Sequence, residues 1–264
     1  MDLSSQLRAA ILSQSFPVPS PSLLTSLTTS RNPPPPLPSL VATAKARLLA
    51  CDLTSSSLLD SSAASLPLDI GDAHAKDARL PRDVHVQVVD VENLSLSVWE
   101  QVEELEAVER GERTRGREVV RVTAEDDDGI AGANEGSQTQ TTTQRRAAAT
   151  ATAGKNATHR LTLQDRNGKR MFALEMRRMD RIGIGKTCMG EKLLLKAGTA
   201  VARGTVLLTP DSCVFLGGKI EAWQKAWMEG RLARLREAVG SDRPRCETAK
   251  RMMWSLGRHD MIPL

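Results

Sequence analysis

The chain has 264 residues, a net charge of +4, 40 % hydrophobic and 26 % charged residues, and few aromatics: no Tyr, three Phe and four Trp. That length holds one or two domains, and no apolar run approaches the ~20 residues of a bilayer-spanning helix. The shortage of aromatics argues against a surface built to stack bases.

In chain order, residues 1–14 predict a short helix with Leu3, Leu7 and Ile11 on one face. Residues 15–38 are rich in Pro, Ser and Thr, with four prolines at 33–36, and read as an extended or disordered linker. Ser39 offers an N-cap for a second helix over residues 40–53, and a third helical piece is expected near residues 55–64. Residues 39–82 are thus expected to form a small helical unit.

Val84, Val86 and Val88 alternate with His85, Gln87 and Val89, the period of a half-buried strand. Residues 97–107 read as a helix and 119–123 as a brief strand. Residues 125–155 open with four contiguous acids and continue in Gly, Ala, Thr and Gln, too poor in large apolar residues to bury themselves.

The most regular stretch follows. Leu161 and Leu163 alternate with polar residues, Asn167-Gly168 supplies a tight turn, and the return strand places Met171, Ala173 and Glu175 on one face and Phe172, Leu174 and Met176 on the other. A long apolar segment over 192–202 turns at Arg203-Gly204 and returns over 205–208. Pro210-Asp211-Ser212 breaks that strand, residues 213–216 finish it, and Gly217-Gly218 end the sheet. Short strands joined by turn signals indicate a small antiparallel β unit, sandwich or barrel. Residues 219–239 read as a helix weakened at Gly230, and 240–264 as a basic tail.

Charge is unevenly distributed. Residues 84–128 hold 13 acids against 5 bases, a net of −8, whereas residues 159–264 hold 11 acids against 21 bases, a net of +10. A basic half suits an acidic partner such as nucleic acid or an acidic protein face. Arg166, Lys169, Arg170, Arg177, Arg178 and Arg181 cluster around one hairpin, and the first five are candidate contacts for DNA phosphates, giving weak, sequence-neutral affinity.

Catalytic and cofactor motifs are not assembled. Residues 181–187 resemble the end of a phosphate loop, but Asp180 stands where the first glycine is needed, so a connecting loop or short helix is expected. The acids at 125–128 are contiguous rather than alternating, unlike a calcium loop. The four His and four Cys have no metal-ligand spacing, and there is no Gly-x-Ser-x-Gly elbow. No enzyme activity, cofactor, metal or small-molecule substrate is expected. With no basic region followed by an apolar core at the start, reduced thiols in an intracellular protein are expected.

Several segments together resemble one family: Leu161-Thr162-Leu163-Gln164-Asp165 with Gly168; Ala173-Leu174-Glu175-Met176; Gly190-Glu191-Lys192 and the leucines after it; Arg203-Gly204-Thr205 through Thr209-Pro210; and Val214-Phe215-Leu216-Gly217-Gly218-Lys219-Ile220-Glu221-Ala222. This set is similar to the N-terminal region of the RecQ-mediated genome instability proteins, over roughly residues 40–235, in the short form found in fungi. The resemblance implies a helical unit at 39–82 on an OB-fold, a five-stranded barrel, at 83–218, with a flexible insert at about 110–158. It implies a non-catalytic nuclear scaffold that binds topoisomerase III, a type IA enzyme, joins it to a RecQ-type helicase, and acts in the dissolution of double Holliday junctions. In such proteins the insert reaches the topoisomerase gate. On this basis Lys192, Arg145, Arg146 and Lys155 are candidate partner-binding residues. The alternative expectation is an autonomous single-stranded DNA-binding OB-fold protein.

Overall fold

The computed structural model describes residues 2–55, 57–111 and 157–241. The chain divides into two units, one from residues 1–95 and 133–228 and the other from 96–132 and 229–264. The tail beyond Ser241, the strand expected at 119–123 and nearly all of the insert lie outside the described residues.

The first unit begins with three helices, α1 (Leu3–Leu12), α2 (Pro21–Thr28) and α3 (Leu37–Ala50). They bury Leu7, Ile11, Leu23, Leu24, Leu27, Leu40, Ala44 and Leu48 in one core, with Leu53 and Leu59 from the chain that follows. Helix α2 occupies the stretch expected as a linker. Its prolines and serines act as a start signal instead: Ser20 Oγ accepts the Leu23 N–H at 3.1 Å, and Pro21 fills the first helical position, where no N–H is needed. Helix α3 likewise starts early, with Pro38 in its first turn. The third helical piece expected near 55–64 does not form. Asp52 and Asp60 accept the N–H groups of Thr54 (2.9 Å) and Ser62 (2.8 Å), giving the backbone a turn in place of a helix.

The same unit contains one mixed sheet. Its strands are β1 (Ala78–Arg79), β2 (Val84–Asn93), β3 (His159–Asp165), β4 (Arg170–Glu175), β5 (Lys192–Leu195), β6 (Ala200–Ala202), β7 (Thr205–Leu208) and β8 (Cys213–Gly217). Their order is β1-β6-β7-β4-β3-β2-β5-β8. Strands β5 and β6 run the same way and form one strand interrupted at residues 196–199; β7 and β8 form another, interrupted at 209–212. The two make a hairpin whose halves lie at opposite ends of the order, Leu195 opposite Cys213 and Val201 opposite Val206. Lys196 N–H donates to the Ser212 carbonyl at 2.9 Å, holding the breaks side by side. A sheet with one hairpin at both ends must roll up, so β2, β3, β4 and the two interrupted strands make a five-stranded barrel. Its seam is the parallel pairing of β4 with β7.

Inward residues follow the predicted alternation: Val84, Val86, Val88, Leu161, Leu163, Met171, Ala173, Leu193, Leu195, Val206 and Leu208 form the barrel core. A bulge between Val88 and Asp90 resets the period so that Val91 also faces inward. Helix α5 (Glu221–Glu229) adds Trp227 to this core, and its indole N–H donates to Asp90 at 2.6 Å.

The second unit pairs α4 (Val98–Glu109) with α6 (Arg231–Ser241). Ser97 and Glu100 form a capping box at the start of α4. Arg231 donates to Gln101 at 3.2 Å and Arg236 to Glu106 at 2.8 Å, so the two helices run parallel. The single C-terminal helix expected over 219–239 is therefore two helices, separated at Gly230.

Gly218, at φ +94°, is where the barrel end meets the end of α3: a Cβ there would lie 2.4 Å from the Leu49 carbonyl oxygen. Gly185, at φ +82°, faces open space. In urea denaturation, Gly218→Ala is expected to lose about 3 kcal/mol, combining conformational strain with a backbone clash, and Gly185→Ala about 1 kcal/mol from conformation alone.

Candidate interaction surface of the barrel

The outer face of the barrel divides into a side that holds the helical unit and a side that does not. On the first, Gln87 is 0 % exposed although it points away from the barrel core. Its Oε1 accepts the Leu53 N–H at 3.0 Å; its Nε2 donates to Asp52 at 2.6 Å and Gln164 at 3.1 Å. Lys192 is 1 % exposed, and its ammonium donates to the carbonyls of Cys51 (2.5 Å) and Gly190 (2.6 Å). Burial pushes its pKa down to about 8, against the pull of the nearby Cys51 and Asp52. His85 Nε2 lies 2.8 Å from the Ser15 carbonyl, so that nitrogen carries the proton and donates. Burial holds the His85 imidazole below its usual 6.5, opposed by the Ser15 carbonyl and the Asp83 carboxylate.

The tip of the β3–β4 hairpin makes a second clamp. Asp165 accepts the Leu66 N–H at 2.9 Å, along with the N–H groups of Asn167 and Lys169 in its own turn. Arg166 donates to the carbonyls of Asp60 (2.6 Å) and Ala63 (3.2 Å). Lys169 donates to those of Pro67 (2.6 Å) and Leu68 (2.7 Å).

These contacts show where three of the candidate residues are engaged. Lys192 is a candidate partner contact by sequence but sits inside the junction, with its charge satisfied by carbonyls. Arg166 and Lys169, candidate phosphate contacts, fasten residues 60–68 to the hairpin. Arg170, Arg177 and Arg178 do stand exposed on β4 and the chain beyond it. Arg178 has Asp180 at 3.6 Å. Arg145, Arg146 and Lys155 lie outside the described residues. The residues that sequence reading missed are Gln87, His85 and Asp165. A polar residue within a strand signals an outward position, but not what waits there.

The stretch resembling a phosphate loop is closed on itself. Thr187 Oγ1 accepts the Gly183 N–H and donates to the Arg181 carbonyl, both at 3.1 Å. Beside it His159 and Glu175 form a buried pair at 2.9 Å, and Glu175 also accepts the His159 and Met179 N–H groups. Arg181 lies over Phe215 at 5.3 Å and pairs with Glu191 at 3.0 Å. Among the described residues, no group of three or more His, Cys, Asp or Glu is placed to hold a metal ion.

On the uncovered side the outward residues of β4 are Arg170, Phe172 and Leu174, followed by Met176. Arg160 of β3 stacks on Phe172 at 4.5 Å and pairs with Glu92 of β2 at 2.5 Å.

Replacing Gln87 by Leu leaves the buried Leu53 N–H and Asp52 without that partner, and is expected to lower unfolding stability by about 2–3 kcal/mol in urea titrations. The depressed His85 pKa sets a pH dependence. As pH falls through 6.5 the unfolded chain takes up this proton first, so stability drops. Between pH 7 and 5 the melting temperature of His85→Gln is expected to fall less than that of the unaltered chain.

Two family models match the chain: the RMI1 N-terminal helical domain over residues 11–56, and the RMI1 N-terminal OB-fold domain over residues 66–231. The chain is also similar to RecQ-mediated genome instability protein 1 of Schizosaccharomyces pombe, with 28 % identity over 193 residues, covering 70 % of this chain and 74 % of that protein. The chain belongs to the RMI1 family of OB-fold genome-stability proteins.

Proposed function

We propose that the protein is a non-catalytic scaffold subunit of a RecQ helicase–topoisomerase III complex in the nucleus. It holds the type IA topoisomerase through the barrel surface and stimulates it in the dissolution of double Holliday junctions, which limits crossovers. The observation that carries this reading is that both RMI1 N-terminal domains are matched, in order, on the helical unit and the barrel. The name of the fission-yeast relative supports the RecQ connection.

The geometry suits a scaffold. The buried polar groups of the barrel's covered side bind the chain to itself, which makes the helical unit and the barrel one platform. The autonomous single-stranded DNA-binding alternative is weakened. Two of the five cations proposed for phosphates are engaged by carbonyls, and Phe172 already has Arg160 on its ring. A supporting DNA contact is left to Arg170, Arg177 and Arg178. The insert, which by this reading acts at the topoisomerase gate, lies outside the described residues.

The test is co-purification of the full chain with topoisomerase III of its own organism at moderate and high salt, followed by decatenation assays. Stable association and faster decatenation are expected. A chain lacking residues 125–155 is expected to keep its melting temperature within about 2 °C and its topoisomerase binding, and to lose the stimulation, because that composition contributes no core. Failure to associate, with tight salt-sensitive binding of single-stranded DNA instead, would sink the scaffold reading.

A further inference from the structure

The uncovered side of the barrel carries an apolar stripe at positions where a strand normally faces water with polar side chains. Phe172 is 45 % and Met176 56 % exposed. Between them Leu174 stands beside Leu207 in the β4–β7 register, both half-buried, and Phe172 stands beside Thr205. The stripe is therefore contiguous and two strands wide. Both of its ends are cationic: Arg170 opens β4, and Arg177 and Arg178 follow the stripe at and just past a bend at residues 176 and 177. Among the described residues, Arg170 and Arg177 are exposed and form no ion pair. The nearby acids are already matched, Glu92 by Arg160 at 2.5 Å and Asp180 by Arg178 at 3.6 Å.

We propose that this stripe is a docking surface for an extended peptide segment of a partner protein, apolar at alternate positions and acidic at both ends. Charge fixes the ends of the occupant, since Arg170 at one end and Arg177 at the other, neither in an ion pair, select carboxylates. The middle is fixed by Leu174, Met176 and Leu207, which offer aliphatic contact. A nucleic-acid strand fits this surface less well. It needs free aromatic faces at successive bases, whereas the stripe has one aromatic ring, and Arg160 lies on it at 4.5 Å. Alternating side chains of an extended segment match the two-residue spacing of Phe172, Leu174 and Met176. This surface is separate from the junction with the helical unit, and the proposal does not depend on which enzyme the protein serves.

The test is fluorescence polarisation of the full chain with a labelled nonapeptide, Asp-Asp-Leu-Ser-Leu-Ser-Leu-Asp-Asp. Saturable, salt-sensitive binding is expected. It should weaken at least tenfold in Phe172→Ser and in the double variant Arg170→Glu/Arg177→Glu, and be lost when Lys replaces every Asp of the peptide. These positions are exposed, so the melting temperature of each variant should match that of the unaltered chain. The proposal is overturned by absence of saturable binding up to millimolar peptide, or by binding that neither variant changes. It is equally overturned if labelled oligothymidylate, and not the peptide, binds through these residues. A self-association lost in Phe172→Ser, seen by sedimentation, would make a second copy the occupant and also overturn it.

Discussion

Two buried polar side chains on the outside of a barrel govern this structure. Gln87 and Lys192 face away from the barrel core and toward α3, and neither has access to water. A buried amide or ammonium without partners costs several times what a satisfied hydrogen bond contributes. Their partners in the helical unit are the Cys51 carbonyl, the Leu53 N–H and the Asp52 carboxylate, all in the three residues just past α3. The barrel is therefore complete only when the helical unit is seated, and the helical unit has one orientation in which those groups meet. Apolar packing alone would tolerate sliding; this arrangement does not.

The interrupted hairpin explains how one small sheet supplies both a covered and an open side. Because β5/β6 and β7/β8 each bend midway, their first and last halves lie on different parts of the barrel wall. The β2–β5 part receives the helical unit and the clamp at the β3–β4 tip holds the chain leaving it. The β4–β7 part is left to solvent. The parallel pairing that joins these strands is the closure of the wall, and Leu174 and Leu207 stand side by side there.

Much of the barrel was legible in the sequence because its signals are local. Asn167-Gly168, Arg203-Gly204 and the break at Pro210 each mark a turn within a few residues of the strands they join, and the inward set of β3, β4 and β2 up to Val88 follows alternation. Helix α2 was hidden because its prolines and serines resemble a linker by composition, and only their placement before Leu23, Leu24 and Leu27 makes them a helix start. The site was less legible. Arg166, Lys169 and Arg170 are indistinguishable in sequence, yet the first two end on carbonyls about a hundred residues away and the third does not. The destination of a long cationic side chain is a tertiary property, and no local pattern encodes it.

Strands β2 and β3 are register neighbours, but the chain leaves one at Asn93 and enters the other at His159. The departure point is tied shut: Leu94 N–H donates to the Thr158 carbonyl at 2.9 Å, and Thr158 N–H to Ser95 at 2.8 Å. The entropy of closing such an excursion grows only with the logarithm of its length, about 0.6 kcal/mol for each doubling. Once that neck is fastened, the barrel is nearly indifferent to how many residues pass beyond it. Insertions and deletions in the excursion past α4 meet little resistance from the folding stability of the barrel. Over evolutionary time its length there is free to change while the strands on either side keep their register.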